Sequence, residues 1–214
     1  MLKLYGFFRS SASFRVRIAL NLKGLPYEQQ TVPLAAGAQR SDDFRALNAQ
    51  QLVPVLIEDG HALTQSLAIM EYLDETHPRP PLLPAGPLAR LRVRSLAQLV
   101  ACEIHPLNNL KVLKYLSGTL KLDEATRNAW YRHWIAEGLT ALESRLAGEA
   151  ETAAYCHGDA PTIADCCLVP QIFNAQRYDC DLAPYPVVMK VFERCMLLDA
   201  FARAAPMNQP DAAA

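Results

Sequence analysis

The stretch HPRPPLLPAGP, residues 77 to 87, holds five prolines. Proline fixes φ and has no backbone donor, so neither a helix interior nor a central strand can pass through this stretch. It reads as a semi-rigid linker. Alternating strand-like and helix-like patterns lie before it, and strand signals nearly vanish after it. The chain of 214 residues is therefore read as two domains, at 1–80 and 88–214.

In the first domain, Leu2 to Phe7 is a short apolar strand. Arg15 to Lys23 places Val16, Ala19 and Leu20 at helical spacing and closes on Gly24. Tyr27 to Val32 is a second strand, and Asp42 to Leu47 a short helix. Pro54 to Glu58 and His61 to Leu63 flank Asp59-Gly60, a pair suited to a tight hairpin turn. Gln65 to Glu75 sets Leu67, Ile69, Met70 and Leu73 on a helical pattern. The order is βαβαββα, with the first two strands parallel through a crossover helix.

Beyond the linker, Leu88 to Leu116 is one long helical pattern disturbed at Pro106. Trp130, Trp134, Leu139, Leu142 and Leu146 mark the apolar face of another helix. Thr162-Ile-Ala-Asp165 has capping-box form, with Asp in place of Glu or Gln, and Pro186 opens a further helix. The fold class is α/β plus all-α.

Composition excludes several functions. Twenty-one basic and twenty-two acidic residues give a net charge of -1, with no basic footprint for nucleic acid. No apolar stretch approaches the roughly 20 residues that span a bilayer. Leu4 to Phe8 is too short for a secretory h-region. The six cysteines form no CxxC pair, which points to reduced, mostly buried thiols in a cytoplasmic protein. Cys156, His157, Cys166 and Cys167 fit no common zinc spacing, so no metal is assigned.

The chemistry gathers at RSSASFRVRIAL, residues 9 to 20, where three serines and an arginine precede a helix. One serine suffices as a cap. A helix N-terminus carries unpaired N–H groups and partial positive charge, and it lowers the pKa of a thiol placed there. Lowering a thiol pKa by about two units supplies roughly 2.7 kcal/mol and makes most of it thiolate at neutral pH. Position 12 is Ala, so a thiolate here must belong to a ligand. Leu52-Val53-Pro54 precedes a strand, and a cis Pro54 would expose the Val53 backbone to a peptide-like ligand. Gln65-Ser66 opens another helix, whose N-terminus suits a carboxylate. Thiol, peptide backbone and carboxylate together describe a small thiol peptide.

At these residues the chain resembles the zeta class of glutathione transferases, the maleylacetoacetate isomerase family. The resemblance rests on RSSASFRVRIALNLKG, ALNAQQLVPVL, LTQSLAIMEYLDETHP, VACEIHPLNNLKVL, GDAPTIADCCLVPQIFNAQRYDCDLAPYP and the closing AFARAAPMNQPD. It implies a thioredoxin-like first domain, a helical second domain, glutathione as cofactor and a cytoplasmic homodimer. It implies Ser11, with Ser10 and Ser13, as the hydroxyls that activate sulfur. Val53 would pair with the cysteinyl backbone of glutathione, Gln65 and Ser66 would hold its γ-glutamyl end, and Gln39 would approach its glycyl end. His105 and Asn109 would reach it from the helical domain. Arg9 and Arg177 would bind a keto dicarboxylate. Arg15 and Arg17, on the first helix, are weaker candidates, and the alternative for them is a solvated face or an ion pair with the second domain. Ala12 departs from the family pattern, which has cysteine there.

The reaction so implied is cis–trans isomerisation of a conjugated keto dicarboxylic acid, maleylacetoacetate or maleylpyruvate. A general conjugator of electrophiles would need a broad apolar pocket and neither arginine. A non-catalytic binding module would not need the serine motif and the Gln-Ser pair, and both are intact.

Overall fold

The computed structural model describes residues 1–212. In chain order the elements are β1 (Leu2–Gly6), α1 (Ser11–Leu22), β2 (Tyr27–Thr31), α2 (Asp42–Leu47), β3 (Val55–Glu58), β4 (His61–Thr64) and α3 (Ser66–Thr76). There follow α4 (Pro87–Gln98), α5 (Leu110–Gly118), α6 (Glu124–Gly148), α7 (Ile163–Arg177), α8 (Pro186–Met196) and α9 (Asp199–Ala204). They form two compact units: Met1–Leu83 with the segment from Met196 onward, and Pro84–Cys195.

The first unit is built on a four-stranded sheet in the order β2-β1-β3-β4. β1 runs parallel to β2 and antiparallel to β3, and β3 and β4 form an antiparallel hairpin. Asp59 and Gly60 turn that hairpin with φ of 47° and 82°, the paired positive values that match strand twist. Leu4, Val55 and Leu56 of the sheet, Val16 and Leu20 of α1, and Met70 and Leu73 of α3 are fully buried.

The closing segment belongs to this unit and not, as the sequence suggested, to the helical one. α9 packs on α1, so α1 is covered on more than its sheet side. A helix buried nearly all round is no longer amphipathic, and Arg15 and Arg17 are only 2% and 0% exposed. This corrects the expectation of a solvated face. Arg17 donates to Ala204 O at 3.0 Å, Phe8 O at 2.9 Å and Phe7 O at 3.4 Å. Asp211 accepts from Phe8 N at 2.9 Å and from Gln29 Nε2 at 3.0 Å. The motif AFARAAPMNQPD is thus stitched to the loop between β1 and α1.

The proline-rich stretch is not a free spacer at its start. Lys23 Nζ, buried at the end of α1, donates to Asp74 Oδ1 at 2.9 Å, His77 O at 2.7 Å and Pro80 O at 2.9 Å. Leu82 and Leu83 are buried, and Leu82 N donates to Asp74 Oδ1 at 2.7 Å.

In the second unit, the helical pattern expected from Leu88 to Leu116 is broken. After α4 the chain widens into a π-helical stretch over Leu99–Ile104 and tightens into a 3₁₀ turn over His105–Asn108. Pro106 supplies no N–H and cannot continue an α-helix. Gly138 of α6 leaves room for this bulge, because a Cβ there would collide with the side chain of Ile104. The capping box of α7 forms as read from the sequence: Thr162 accepts from Ala164 N at 3.3 Å, and Asp165 accepts from Thr162 N at 2.7 Å. Asp165 also accepts from Cys156 N at 2.8 Å. Burial pushes the Asp165 carboxyl up, while these donors hold it down.

Asp211→Ala removes the acceptor of Phe8 N and Gln29. Hydrogen bonds to a charged group are worth roughly 1.5–3 kcal/mol each, so unfolding free energy in urea should fall by about that amount or more. A loss under ~0.5 kcal/mol would mean that the closing segment does not brace the first unit.

Candidate active site

Three chain reversals meet at one end of the sheet. β1 ends at Gly6, and the chain enters α1 at Ser11. Tyr5 pairs with Val55, so residues 53 and 54 lie beside the exit of β1. Val55 also pairs with Thr64, so Gln65 and Ser66 leave β4 at the same end.

The three serines have different places. Ser10 is the N-cap of α1, and its Oγ accepts from Ser13 N at 3.2 Å. Ser13 is fully buried against β1, where a Cβ on Gly6 would meet its Oγ at 3.2 Å. Its Oγ has no hydrogen-bond partner among the described residues. Ser11 opens the helix and is 6% exposed. Arg9 is exposed, its guanidinium 5.0 Å from the ring centre of Phe8. Ala12, half-buried, follows Ser11.

The Val53–Pro54 bond is cis, as expected. Asn48 stitches the loop ahead of it: Nδ2 donates to Leu52 O at 2.8 Å, and Oδ1 accepts from Gln50 N at 3.0 Å. Val53 packs against a cluster of Val32, Phe44 and Val55. Gln39 sits in a 3₁₀ turn over Ala38–Arg40, 8% exposed, with its Oε1 unpartnered.

Gln65 takes φ 68° and ψ 111° at the N-cap of α3, and its side chain does not cap the helix. Its Nε2 reaches Gln50 Oε1 at 2.7 Å. Ser66 is 7% exposed and accepts from Arg15 Nη1 at 3.2 Å. No acidic residue occupies the first turn of α3. The N-terminus keeps its positive end without a counter-charge from its first turn.

The second unit holds the remaining candidates. His105 opens the 3₁₀ turn and is half-buried. Asn109 caps α5, accepting from Lys111 N at 3.0 Å. Arg177 ends α7, exposed, with its guanidinium 4.9 Å from the ring centre of Tyr178. Tyr178 stacks on Tyr131 at 3.6 Å. Burial pushes the Tyr131 phenol up, and Arg177 beside it pulls it back.

The chain matches known proteins along nearly its whole length. Residues 1–75 match the glutathione S-transferase N-terminal domain and residues 124–194 the C-terminal domain. A maleylpyruvate isomerase of Ralstonia sp is 51% identical over 212 residues, covering 99% of this chain and 100% of that protein. The holo structure of a maleyl pyruvate isomerase, a bacterial zeta-class glutathione S-transferase, superposes with a TM-score of 0.96 at 51% identity, covering 98% of this chain and 99% of that one. A maleylacetoacetate isomerase of Methylobacterium extorquens AM1, solved with malonate and glutathione, gives a TM-score of 0.96 at 47% identity, covering 99% and 100%.

The chain is a zeta-class glutathione transferase.

Within this transferase, Arg9, Ser10, Ser11, Val53, Gln65 and Ser66 collect at one end of the first-unit sheet. Several residues of the same neighbourhoods were not singled out by sequence. Gln50 holds Gln65, and its signal was its place in ALNAQQLVPVL. Asn108 is 7% exposed and donates to Tyr131 O at 3.2 Å with its Oδ1 unpartnered, beside the chosen Asn109. Tyr131 follows Trp130, whose Nε1 donates to Leu107 O at 2.9 Å.

A non-glycine residue at positive φ costs of order 1 kcal/mol or more. Gln65→Gly should therefore be more stable in urea than Gln65→Ala by about 1 kcal/mol. Equal stabilities would show that the surrounding loop, and not the strained backbone, sets the energy at this position.

Proposed function

We propose that this transferase uses glutathione to isomerise a conjugated keto dicarboxylic acid from cis to trans. The observation that carries the reading is the meeting of the α1 N-terminus, the Val53–Pro54 loop and the α3 N-terminus at one end of the sheet. Two helix N-termini suit two anionic groups, and a thiolate and a carboxylate are what glutathione offers them. The unpartnered Gln39 Oε1 is a ready acceptor for a third polar group.

Bound glutathione supplies a thiolate that adds reversibly to the cis double bond, so that rotation about the resulting single bond can precede its departure. The chain's residues do the rest. Ser11 donates its hydroxyl hydrogen toward sulfur, helped by the α1 N-terminus. Ser10 holds the first turn of α1 in place through Ser13 N. Val53 offers backbone groups, Gln65 and Ser66 take the γ-glutamyl end, and His105 and Asn109 are assigned to glutathione as well. Arg9, beside the serines, is placed to hold a substrate carboxylate with a planar two-donor fork. Arg177 is assigned the same task. The malonate in the Methylobacterium relative is a dicarboxylate bound together with glutathione, which supports this class of substrate. Turnover of each acid decides between maleylacetoacetate and maleylpyruvate.

A homodimer fits the exposed Leu88 and Leu91 of α4, 80% and 62% accessible. Sedimentation should give twice the mass of the 23.7 kDa chain; a single-chain mass at micromolar concentration rules this out. Among the described residues no helix is long and apolar enough to cross a membrane. The reading extends to a cytoplasmic protein, which six cysteines without a CxxC pair support.

Ser11→Ala should raise the pKa of bound glutathione by about one to two units, read as lost thiolate absorbance in the ultraviolet near neutral pH. Ser10→Ala should instead lower stability by roughly 1 kcal/mol through loss of the cap. Arg9→Met and Arg177→Met should each lower kcat/KM by roughly 2–4 kcal/mol, about thirty- to several-hundred-fold, and change glutathione affinity far less. Equal losses in both assays would assign the arginines to glutathione. No loss in either would favour a broad electrophile conjugator.

A further inference from the structure

Arg15 is a cation with no obvious reason to be indoors. It lies on α1, 2% exposed. Its Nη1 donates to Ser66 Oγ at 3.2 Å, while Nε and Nη2 have no hydrogen-bond partner. Burying a guanidinium this way costs free energy that one neutral hydroxyl does not repay. Arg15 serves neither of the tasks seen nearby: Arg17 binds the loop carbonyls, and Lys23 holds Asp74 and the start of the proline-rich stretch.

The chemistry of the one bond it makes is directional. A guanidinium can only donate, so Ser66 Oγ must be the acceptor. The hydroxyl hydrogen of Ser66 is then left to point elsewhere. Ser66 is the first residue of α3, whose N-terminus has no side-chain cap and no acidic residue in its first turn. A hydroxyl donor, the unpaired N–H groups of the first turn and a buried cation behind them all favour one negative group in front of Ser66.

We infer that Arg15 is a positioning residue for ligand binding: it orients and polarises Ser66, and its buried charge selects a carboxylate at the α3 N-terminus. This rests on the reading that glutathione binds with its γ-glutamyl end at Gln65 and Ser66. The free carboxylate of that end is the group selected. Arg15 does not touch it and acts through Ser66. The charge of Arg15, met in the described residues only by the Ser66 hydroxyl, is balanced by that carboxylate.

The test is calorimetric titration with two ligands: glutathione, and glutathione whose γ-glutamyl carboxylate is replaced by a carboxamide. Wild type should prefer glutathione. Arg15→Met should weaken glutathione binding about ten- to a hundred-fold and leave the carboxamide within about threefold, so that the preference collapses. Arg15→Lys, which keeps the charge, should retain part of the preference. Ser66→Ala should lose it, and Arg15→Met combined with Ser66→Ala should lose little more than either alone. If Arg15→Met does not fold, Arg15→Gln carries the same comparison. Equal weakening of both ligands by Arg15→Met or Arg15→Gln would make Arg15 merely structural and overturn the inference. So would an unchanged preference, or fully additive losses with Ser66→Ala. Failure of wild type to bind glutathione at all is a different result, and it overturns the functional reading as well.

Discussion

The first unit hangs on the burial of Arg17. Its guanidinium is wholly removed from water, and burial pushes its pKa down to about 10, against the pull of Tyr27 and Asp211. Removing such an ion from water costs several kcal/mol, so it persists only where its donors are used. Here they go to the carbonyls of Phe7, Phe8 and Ala204, with the Phe14 ring 5.3 Å from the guanidinium carbon. One side chain thereby joins the end of β1, the first helix and the last. The loop that leads into Arg9 and the serines has its carbonyls held by Arg17 and its Phe8 N–H held by Asp211. The proposed thiol-activating site needs a fixed helix mouth, and Asp211 and Ala204 help to hold this one.

That brace also explains where sequence reading succeeded and where it failed. The hairpin at Asp59-Gly60, the short helix Asp42–Leu47 and the capping box at Thr162 were legible because each signal is local. A turn that needs two positive φ values writes itself into two residues. The burial of Arg15 and Arg17 is not local. α9 covers α1 across 187 positions, measured from Arg17 to Ala204, and nothing in RSSASFRVRIAL reports it. Two arginines at i and i+2 on a helix read as exposed because helices are usually covered on one side. The closing motif was visible as part of a family pattern, but its partner was not.

The site was legible by type more than by role. The sequence placed hydroxyls at one helix mouth and a Gln-Ser pair at another. It did not separate a cap, a packing serine and an opening serine lying within four positions. Asn108 and Asn109 show the same limit: adjacent and identical, one faces Tyr131 and the other caps α5. The long pattern from Leu88 to Leu116 concealed a π-helical stretch, because widening depends on the space left by Gly138, more than thirty residues away in sequence.

The division of labour among the serines bears on Ala12. Ser10 is engaged as a cap and Ser13 is buried against Gly6, and Ser11 at the start of α1 is the serine proposed to act on sulfur. What would lower a thiol pKa there is a donor and the partial charge of the helix end, which the proposed role assigns to Ser11 and the backbone. A cysteine at position 12 would add a weak donor to a site that already has a stronger one. Ala has the best helix propensity of any residue in the first turn it joins. The helix mouth can therefore lose the family's thiol and keep its field, provided that Arg17 and Asp211 continue to hold the loop in front of it.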